Sequence, residues 1–400
     1  MAKQLKSSND NNGDSNSGKY NLRVIDNFDN MGLDDAILHG IYSMGFEKPS
    51  YIQQRGILPI MEGKDVIAQS QSGTGKTATF TIGTLQIVEK KVHRTQAIII
   101  APTRELASQI NTVISDLGLY LNLTRACIIG GTSIRDNITE LSKHPQIIIG
   151  TPGRLFDMIS KRYIDTRSIK LLVIDEADEM LSQGFDEQIK NIFKTLPEEV
   201  QVALFSATMS DSFFTLTDSF MRDPVKILVK NDELTLEGIK QYYIYMEYDS
   251  YKFDTLCDLY ASFTIAQSIL YCNSKRTVEF LQNKLTENNF SNAYIHGNMP
   301  QTKRKEIMNE FRSGGIRMLI STDLLCRGID VQQVSLVINY EVPYKTENYI
   351  HRIGRSGRFG RKGIAINFAN DRELKQLKDI EKYYSTTVES FPKDISSVFH

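Results

Sequence analysis

The chain has 400 residues, room for two or three domains at roughly 150 residues each, and its charge is balanced, with 47 basic against 48 acidic side chains. That balance excludes a protein that coats nucleic acid by bulk electrostatics, so a polyanion would have to be gripped in a local cleft. No uninterrupted apolar run approaches the roughly 18 residues that span a bilayer, so no membrane partner is expected.

Cys127, Cys257, Cys272 and Cys326 are scattered without metal-ligand spacing, and no signal-type apolar run precedes them. The expectation is a reduced, intracellular chain. Residues 1–19 are rich in Asn, Ser, Asp and Gly and read as a disordered tail, with too little to bury against the cost of ordering. Phe28 and the run Gly45-Phe46-Glu47-Lys48-Pro49-Ser50-Tyr51-Ile52-Gln53 come next. A ring there can stack on a base, and the Gln53 amide can pair with a donor and an acceptor together, as adenine N6 and N7 present. Alone, a surface Phe and Gln carry little weight.

Asp65-Val66-Ile67-Ala68 reads as a strand and Ala78 onward as a helix, with Ser72-Gly73-Thr74-Gly75-Lys76-Thr77 between them. Glycines there let backbone N–H groups face phosphate oxygens, Lys76 adds positive charge, and the Thr77 hydroxyl can reach a Mg2+ ion at the helix N-terminus. Position 70, where the strict phosphate-loop pattern has glycine, is the small residue Ser70. Short apolar runs follow at 97–100, 126–129, 147–149, 171–174 and 202–205, alternating with amphipathic stretches such as 104–118 and 184–195. Strands this apolar belong to a parallel sheet buried on both faces, and the stretches between them suit crossover helices. The fourth run leads into Asp175-Glu176-Ala177-Asp178. A glycine loop alone is often a tight turn, and an acidic pair alone is often a solvated strand end; together they predict an NTP-hydrolysing site. Asp175 is placed to hold Mg2+ through its water shell, Glu176 to orient or deprotonate the attacking water, and Asp178 to act as a hydrogen-bonding neighbour.

The alternation restarts after a polar segment. The expected organisation is an N-terminal domain over 20–229, a linker at 230–238 and a C-terminal domain over 239–400. The second series has runs at 242–245, 268–271, 293–295, 318–320, 336–338 and 365–368, without a phosphate loop. It carries His351 through Lys362, with five basic side chains among four Gly or Ser positions. A solvated basic loop is the bland reading. Arg355 and Arg358, three apart, are the arginine-finger candidates, because phosphoryl transfer needs a cation against the developing charge. Their distance along the chain from Lys76 would make hydrolysis depend on closure of the lobes.

Taken in order, Gln53 with Phe28, Gly73 through Thr77, Pro102 through Ala107, Gly130-Gly131, Thr151 through Arg154, Asp175 through Asp178, Ser206-Ala207-Thr208, Gln301 with Arg304, Ser321-Thr322-Asp323, Arg327 through Asp330 and His351 through Arg358 resemble the complete motif set of the DEAD-box RNA helicases. Within that family the likeness is greatest to the translation initiation factor 4A branch, carried by Asp232 through Ile239 and Val331 through Val337. Cys326 and Asn298 depart from the family's usual alanine and aspartate, which leaves the branch open.

The resemblance implies an α/β fold of two tandem RecA-like doubly wound parallel-sheet domains joined by a short linker, with ATP and Mg2+ as cofactors. It implies an ATP site of Phe28, Gln53, Ser72, Gly73, Thr74, Gly75, Lys76, Thr77, Asp330, Arg355 and Arg358. Thr103, Arg104, Gly131, Thr151, Arg154, Asn273, Gln301, Arg304, Thr322 and Arg327 would hold one RNA strand by phosphates and 2′-hydroxyls, without reading sequence. Asp178, Ser206, Thr208 and His351 would couple the lobes, although isolated hydroxyls such as Ser206, Thr208 and Thr151 are more often helix caps.

The implied function is ATP-driven binding and local unwinding of RNA in cytoplasmic translation initiation, by a monomer directed by a scaffold protein of the initiation factor 4G type. The alternative is an exon-junction-type RNA clamp in mRNA or rRNA processing, with a nuclear location. A phosphate-loop kinase or DNA translocase is disfavoured by Gln53 and the hydroxyl-rich strand contacts.

Overall fold

The computed structural model describes residues 22–70, 73–209, 217, 220–228, 239–262, 265–325, 334–356 and 363–392. The expected tail at 1–19 and linker at 230–238 lie outside the described residues. Within the first half the strands are β1 (Val66–Gln69), β2 (Ala97–Ile100), β3 (Arg125–Ile128), β4 (Ile147–Gly150), β5 (Leu171–Ile174), β6 (Gln201–Ser206) and β7 (Val225–Ile227). They form a sheet in the order β3-β4-β2-β5-β6-β1-β7, with every pairing parallel. The second half repeats the plan with β8 (Ile239–Tyr245), β9 (Ser268–Tyr271), β10 (Ala293–Ile295), β11 (Met318–Ser321), β12 (Leu336–Asn339), β13 (Gly363–Ala369) and β14 (Glu389–Ser390). Its order is β10-β11-β9-β12-β13-β8-β14, again all parallel. These are two tandem RecA-like α/β lobes.

Each sheet is buried on both faces because successive side chains of a strand point to opposite sides. In β2, Ala97 and Ile99 join one core while Ile98 and Ile100 join the other. In β11, Leu319 enters one core and Met318 and Ile320 the second. This is why the strands read as unbroken apolar runs rather than alternating ones. The chain turns at Gly184 (φ 76), so the amphipathic stretch expected over 184–195 becomes a helix over Asp186–Phe193 after a separate short one at Ala177–Ser182. The two-residue edge strand β14 exposes both side chains and has no apolar pattern to betray it. No helix among the described residues is long and apolar enough to cross a membrane.

The helices that position the site start at the carboxyl ends of strands. They are α3 (Lys76–Ile87), α4 (Arg104–Leu117), α6 (Pro152–Ser160) and α7 (Ala177–Ser182) in lobe one, with α11 (Gln301–Arg312), α12 (Thr346–Ile353) and α13 (Asp371–Tyr384) in lobe two. Thr103 caps α4 by accepting the Leu106 N–H at 3.2 Å. Pro152 opens α6, where a missing N–H costs nothing. Asn370 and Glu373 form a capping box on α13.

Candidate active site

β6 lies between β1 and β5, so the carboxyl end of β6 separates the phosphate loop from the acidic motif by one strand. Gly73 (φ 89) and Gly75 (φ 103) take left-handed conformations that the loop needs and that side chains resist. The Ser70 hydroxyl, standing where the strict pattern has glycine, hydrogen-bonds the Thr74 hydroxyl and so ties the two ends of the loop together. Ser72 lies outside the described residues, and Thr77 is half-buried in the first turn of α3.

Lys76 Nζ sits 3.1 Å from Glu176 Oε1, with side chains 5% and 1% exposed. Glu176 itself is left-handed (φ 52, ψ 52) without being glycine. Such a conformation costs about 1–3 kcal/mol and persists only where the surroundings enforce it. Its N–H bonds back to Asp175 Oδ1 at 3.0 Å. Burial first, and the neighbouring Glu176 charge second, push the Asp175 carboxyl up to about 7, against the pull of Lys76.

Two adjacent buried carboxylates facing one ammonium leave a deficit of positive charge, and the oxygen-only donor set suits a hard divalent ion. Among the described residues no group of three or more His, Cys, Asp or Glu is gathered to ligate a metal directly. A Mg2+ ion would therefore be held by Asp175 and Thr77 together with water and nucleotide phosphates, the usual arrangement for that ion.

The coupling residues meet at Asp178. Thr208 Oγ1 donates to Asp178 Oδ2 at 2.7 Å, the Asp178 N–H reaches Ser206 Oγ at 3.4 Å, and Ser206 Oγ donates to the Thr208 carbonyl at 2.6 Å. From lobe two, His351 Nε2 comes within 3.6 Å of Asp178 Oδ2. One turn on, Arg355 is 2% exposed and its Nε donates to the His351 carbonyl at 3.1 Å. Arg327, Asp330 and Arg358 lie outside the described residues.

Several strand-binding candidates gather in lobe one. Arg104 packs over Gly130 and Gly131 so closely that a Cβ at Gly131 would fall 2.1 Å from Arg104 Nη1. Thr151 Oγ1 accepts the Gly130 N–H at 3.3 Å. Arg154 donates to the Thr132 carbonyl at 3.1 Å and to the Asn137 side chain. In lobe two Thr322 is half-buried at the end of β11.

At four places the packing gives side chains partners within the protein where the sequence reading expected ligands. Phe28, assigned to stack on a base, is 0% exposed within the lobe-one core, because its turn Phe28–Met31 folds onto the sheet. Gln53, also 1% exposed, spends its oxygen on the Ser50 N–H at 2.8 Å and lays its amide nitrogen 3.5 Å from the Gly75 carbonyl, bracing the phosphate loop. Asn273 has both ends of its amide engaged inside lobe two, with Val342 O at 2.9 Å and Arg352 Nη2 at 2.7 Å, rather than free for RNA. Gln301 and Arg304 grip Glu105 of lobe one, Gln301 Nε2 at 3.3 Å and Arg304 by an ion pair with side chains 3% and 7% exposed. Burial lowers the Arg304 pKa, opposed by Glu105. Arg352, one of the five basic side chains between His351 and Lys362, is fully buried.

Glu105 is thus the contact residue that sequence reasoning passed over. It falls within the motif Pro102 through Ala107, but an acid in the first turn of a helix is expected on dipole grounds alone, so nothing there pointed to a partner on the other lobe.

The geometry defines a nucleotide site split between two RecA-like lobes. Residues 50–215 match the family model described as DEAD/DEAH box helicase, and 251–360 match the one described as helicase conserved C-terminal domain. The ATP-dependent RNA helicase eIF4A of Debaryomyces hansenii is 58% identical over 377 residues, covering 94% of this chain and 95% of that protein. Eukaryotic initiation factor 4A of Caenorhabditis elegans is 54% identical over 381 residues, covering 95% and 94%. Among solved structures, S. cerevisiae Dbp5 bound to RNA and ADP BeF3 superposes with a TM-score of 0.86 at 36% identity, covering 93% of this chain and 97% of that one. Mss116p bound to single-stranded RNA and AMP-PNP gives 0.82 at 29% identity, covering 93% and 80%.

The chain belongs to the DEAD-box family of ATP-dependent RNA helicases, in its eIF4A branch. Relatives of that name at this identity favour the translation factor over the exon-junction alternative.

Proposed function

We propose that this helicase of translation initiation turns over ATP only when an RNA strand has drawn its two lobes together. Lys76 holds the phosphates, Glu176 orients the attacking water, and Arg355 with Arg358 brings cationic charge from the second lobe to the developing negative charge. Asp175 and Thr77 would hold a Mg2+ ion, which would supply positive charge against the phosphates. RNA lies across Thr103, Arg104, Gly131, Thr151, Arg154 and Thr322, held by backbone contacts that ignore base sequence. After hydrolysis the lobes part and the strand is released, which melts duplexes locally. The work is cytoplasmic, by a monomer that a scaffold protein of the initiation factor 4G type directs to mRNA.

The observation that carries this reading is the division of labour at Asp178. On one side it is bonded to Thr208, 2.7 Å away; on the other it meets His351, 3.6 Å away on the opposite lobe. Steady-state ATP turnover with and without single-stranded RNA tests it. Strong stimulation is expected, and equal rates would overturn the coupling.

A further inference from the structure

Beneath α12, the helix that carries His351 and leads into Arg355, runs a chain of buried polar side chains with no part in the chemistry above. Arg352 Nη1 donates to Asn339 Oδ1 at 3.3 Å, and Asn339 Nδ2 donates to Asn367 Oδ1 at 2.8 Å. Asn367 Nδ2 reaches the Tyr349 hydroxyl at 3.2 Å and the Tyr242 carbonyl at 2.9 Å. Tyr349 then donates to Gln241 Oε1 at 2.9 Å, and Gln241 Nε2 donates to Thr386 Oγ1 at 2.9 Å. Arg352, Asn339, Asn367 and Tyr349 are all 0% exposed.

Asn339 and Asn367 are register partners on β12 and β13, each beside an isoleucine of the apolar core, Ile338 and Ile366. The bond between the two asparagines occupies positions where apolar side chains could pack, and replacing buried polar pairs by apolar ones is often neutral or stabilising. Bulk stability therefore does not explain the arrangement. What the network does supply is direction. It takes hold of α12 at Tyr349 and Arg352, three residues apart and so on one face of the helix, while His351 reaches Asp178 of lobe one and Arg355, two residues past the helix end, is tied to the His351 carbonyl. Arg352 carries the same network onward to Asn273 Oδ1 at 2.7 Å, to the Glu341 carbonyl at 2.8 Å and to Asp323, next to Thr322. A polar lattice admits one seating of the helix where an apolar interface tolerates several.

We propose that Asn339, Asn367 and Tyr349 are positioning residues for ATP hydrolysis: they fix the rotation and height of α12, so that His351 and Arg355 meet the Asp178 region in register. This rests on the proposed role of α12 in the closed site. None of the three is among the residues assigned to the nucleotide or the RNA.

The test uses the full chain with Tyr349→Phe, which deletes one hydroxyl, and separately with the double replacement Asn339→Leu and Asn367→Leu, which removes their mutual bond while Arg352 keeps the Glu341 carbonyl and Asn273, and Tyr349 keeps Gln241. We expect kcat at saturating RNA and ATP to fall at least ~10-fold, since small misplacements of a catalytic group cost that much or more, while the KM for ATP and the thermal midpoint stay near wild type. If the double variant does not fold, Tyr349→Phe decides alone. Wild-type kcat in a folded variant overturns the proposal, as does a loss of kcat that tracks the unfolded fraction and returns on cooling. Absence of RNA stimulation in the wild type would instead defeat the functional reading itself.

Discussion

Glu105 offers the sharpest test of closure because its carboxylate is used only when the lobes meet. In the closed form it is 8% exposed and receives Arg304 and Gln301 from the opposite lobe. Glu105→Ala strands the Arg304 guanidinium, 3% exposed, without its counter-charge. Breaking a buried pair from one side costs about 3–5 kcal/mol. Burial lowers the Arg304 pKa against the pull of Glu105, and about 3 kcal/mol is taken as the conservative end of that range. In the open form both groups are hydrated and the substitution costs almost nothing beyond a helix-dipole contribution of about 0.3–1 kcal/mol. Some 3 kcal/mol against closure is roughly a 10²-fold loss of the closed population. RNA-stimulated kcat/KM should fall by about that factor, with the thermal midpoint changed little. Glu105→Gln keeps an acceptor and should lose roughly tenfold, half the effect in free energy. Turnover by Glu105→Ala at the wild-type rate under subsaturating RNA would refute the reasoning, because the pair would then contribute nothing to bringing the lobes together.

Glu176→Gln removes the base while keeping the side-chain volume, and turnover should drop by at least ~10²-fold with ATP still bound, as read by single-turnover hydrolysis and nucleotide binding. Gly131→Ala forces a Cβ to within 2.1 Å of Arg104 Nη1 at a φ of 77; RNA affinity should fall about tenfold, with ATP binding unaltered in the same titrations. Asp175 holds its proton up to about pH 7 because of burial and Glu176. Since its folded pKa is raised, protonation favours the nucleotide-free fold in acid, and that contribution fades as pH climbs from the ordinary carboxylate range through 7. A cation must displace the same proton, so Mg2+ should bind roughly tenfold more weakly at pH 6 than at pH 8, measured by calorimetry with ATP present; pH-independent binding would count against Asp175 as the holder. Single-stranded DNA should stimulate turnover at least ~10-fold less than RNA of equal length if 2′-hydroxyls are gripped.

What could be read along the chain was whatever is local. The glycines of the phosphate loop, the apolar run into Asp175 and Glu176, and the two-faced burial of each strand are short-range patterns, so two doubly wound lobes and a split NTP site followed directly from them. The resemblance to DEAD-box helicases drew on the same contiguous motifs. Tertiary packing alone decided which polar groups face each other. Arg304 and Glu105 are 199 residues apart in the chain, and no local signal distinguishes an arginine reaching for phosphate from one reaching for a carboxylate on another lobe. Phe28 looks like a stacking ring until a turn folds it into the core, and Asn273 looks free until Arg352 and Val342 claim its amide. Periodicity says which side of a strand or helix is buried; it cannot say what stands opposite, because that depends on strand order and on how one lobe docks against the next.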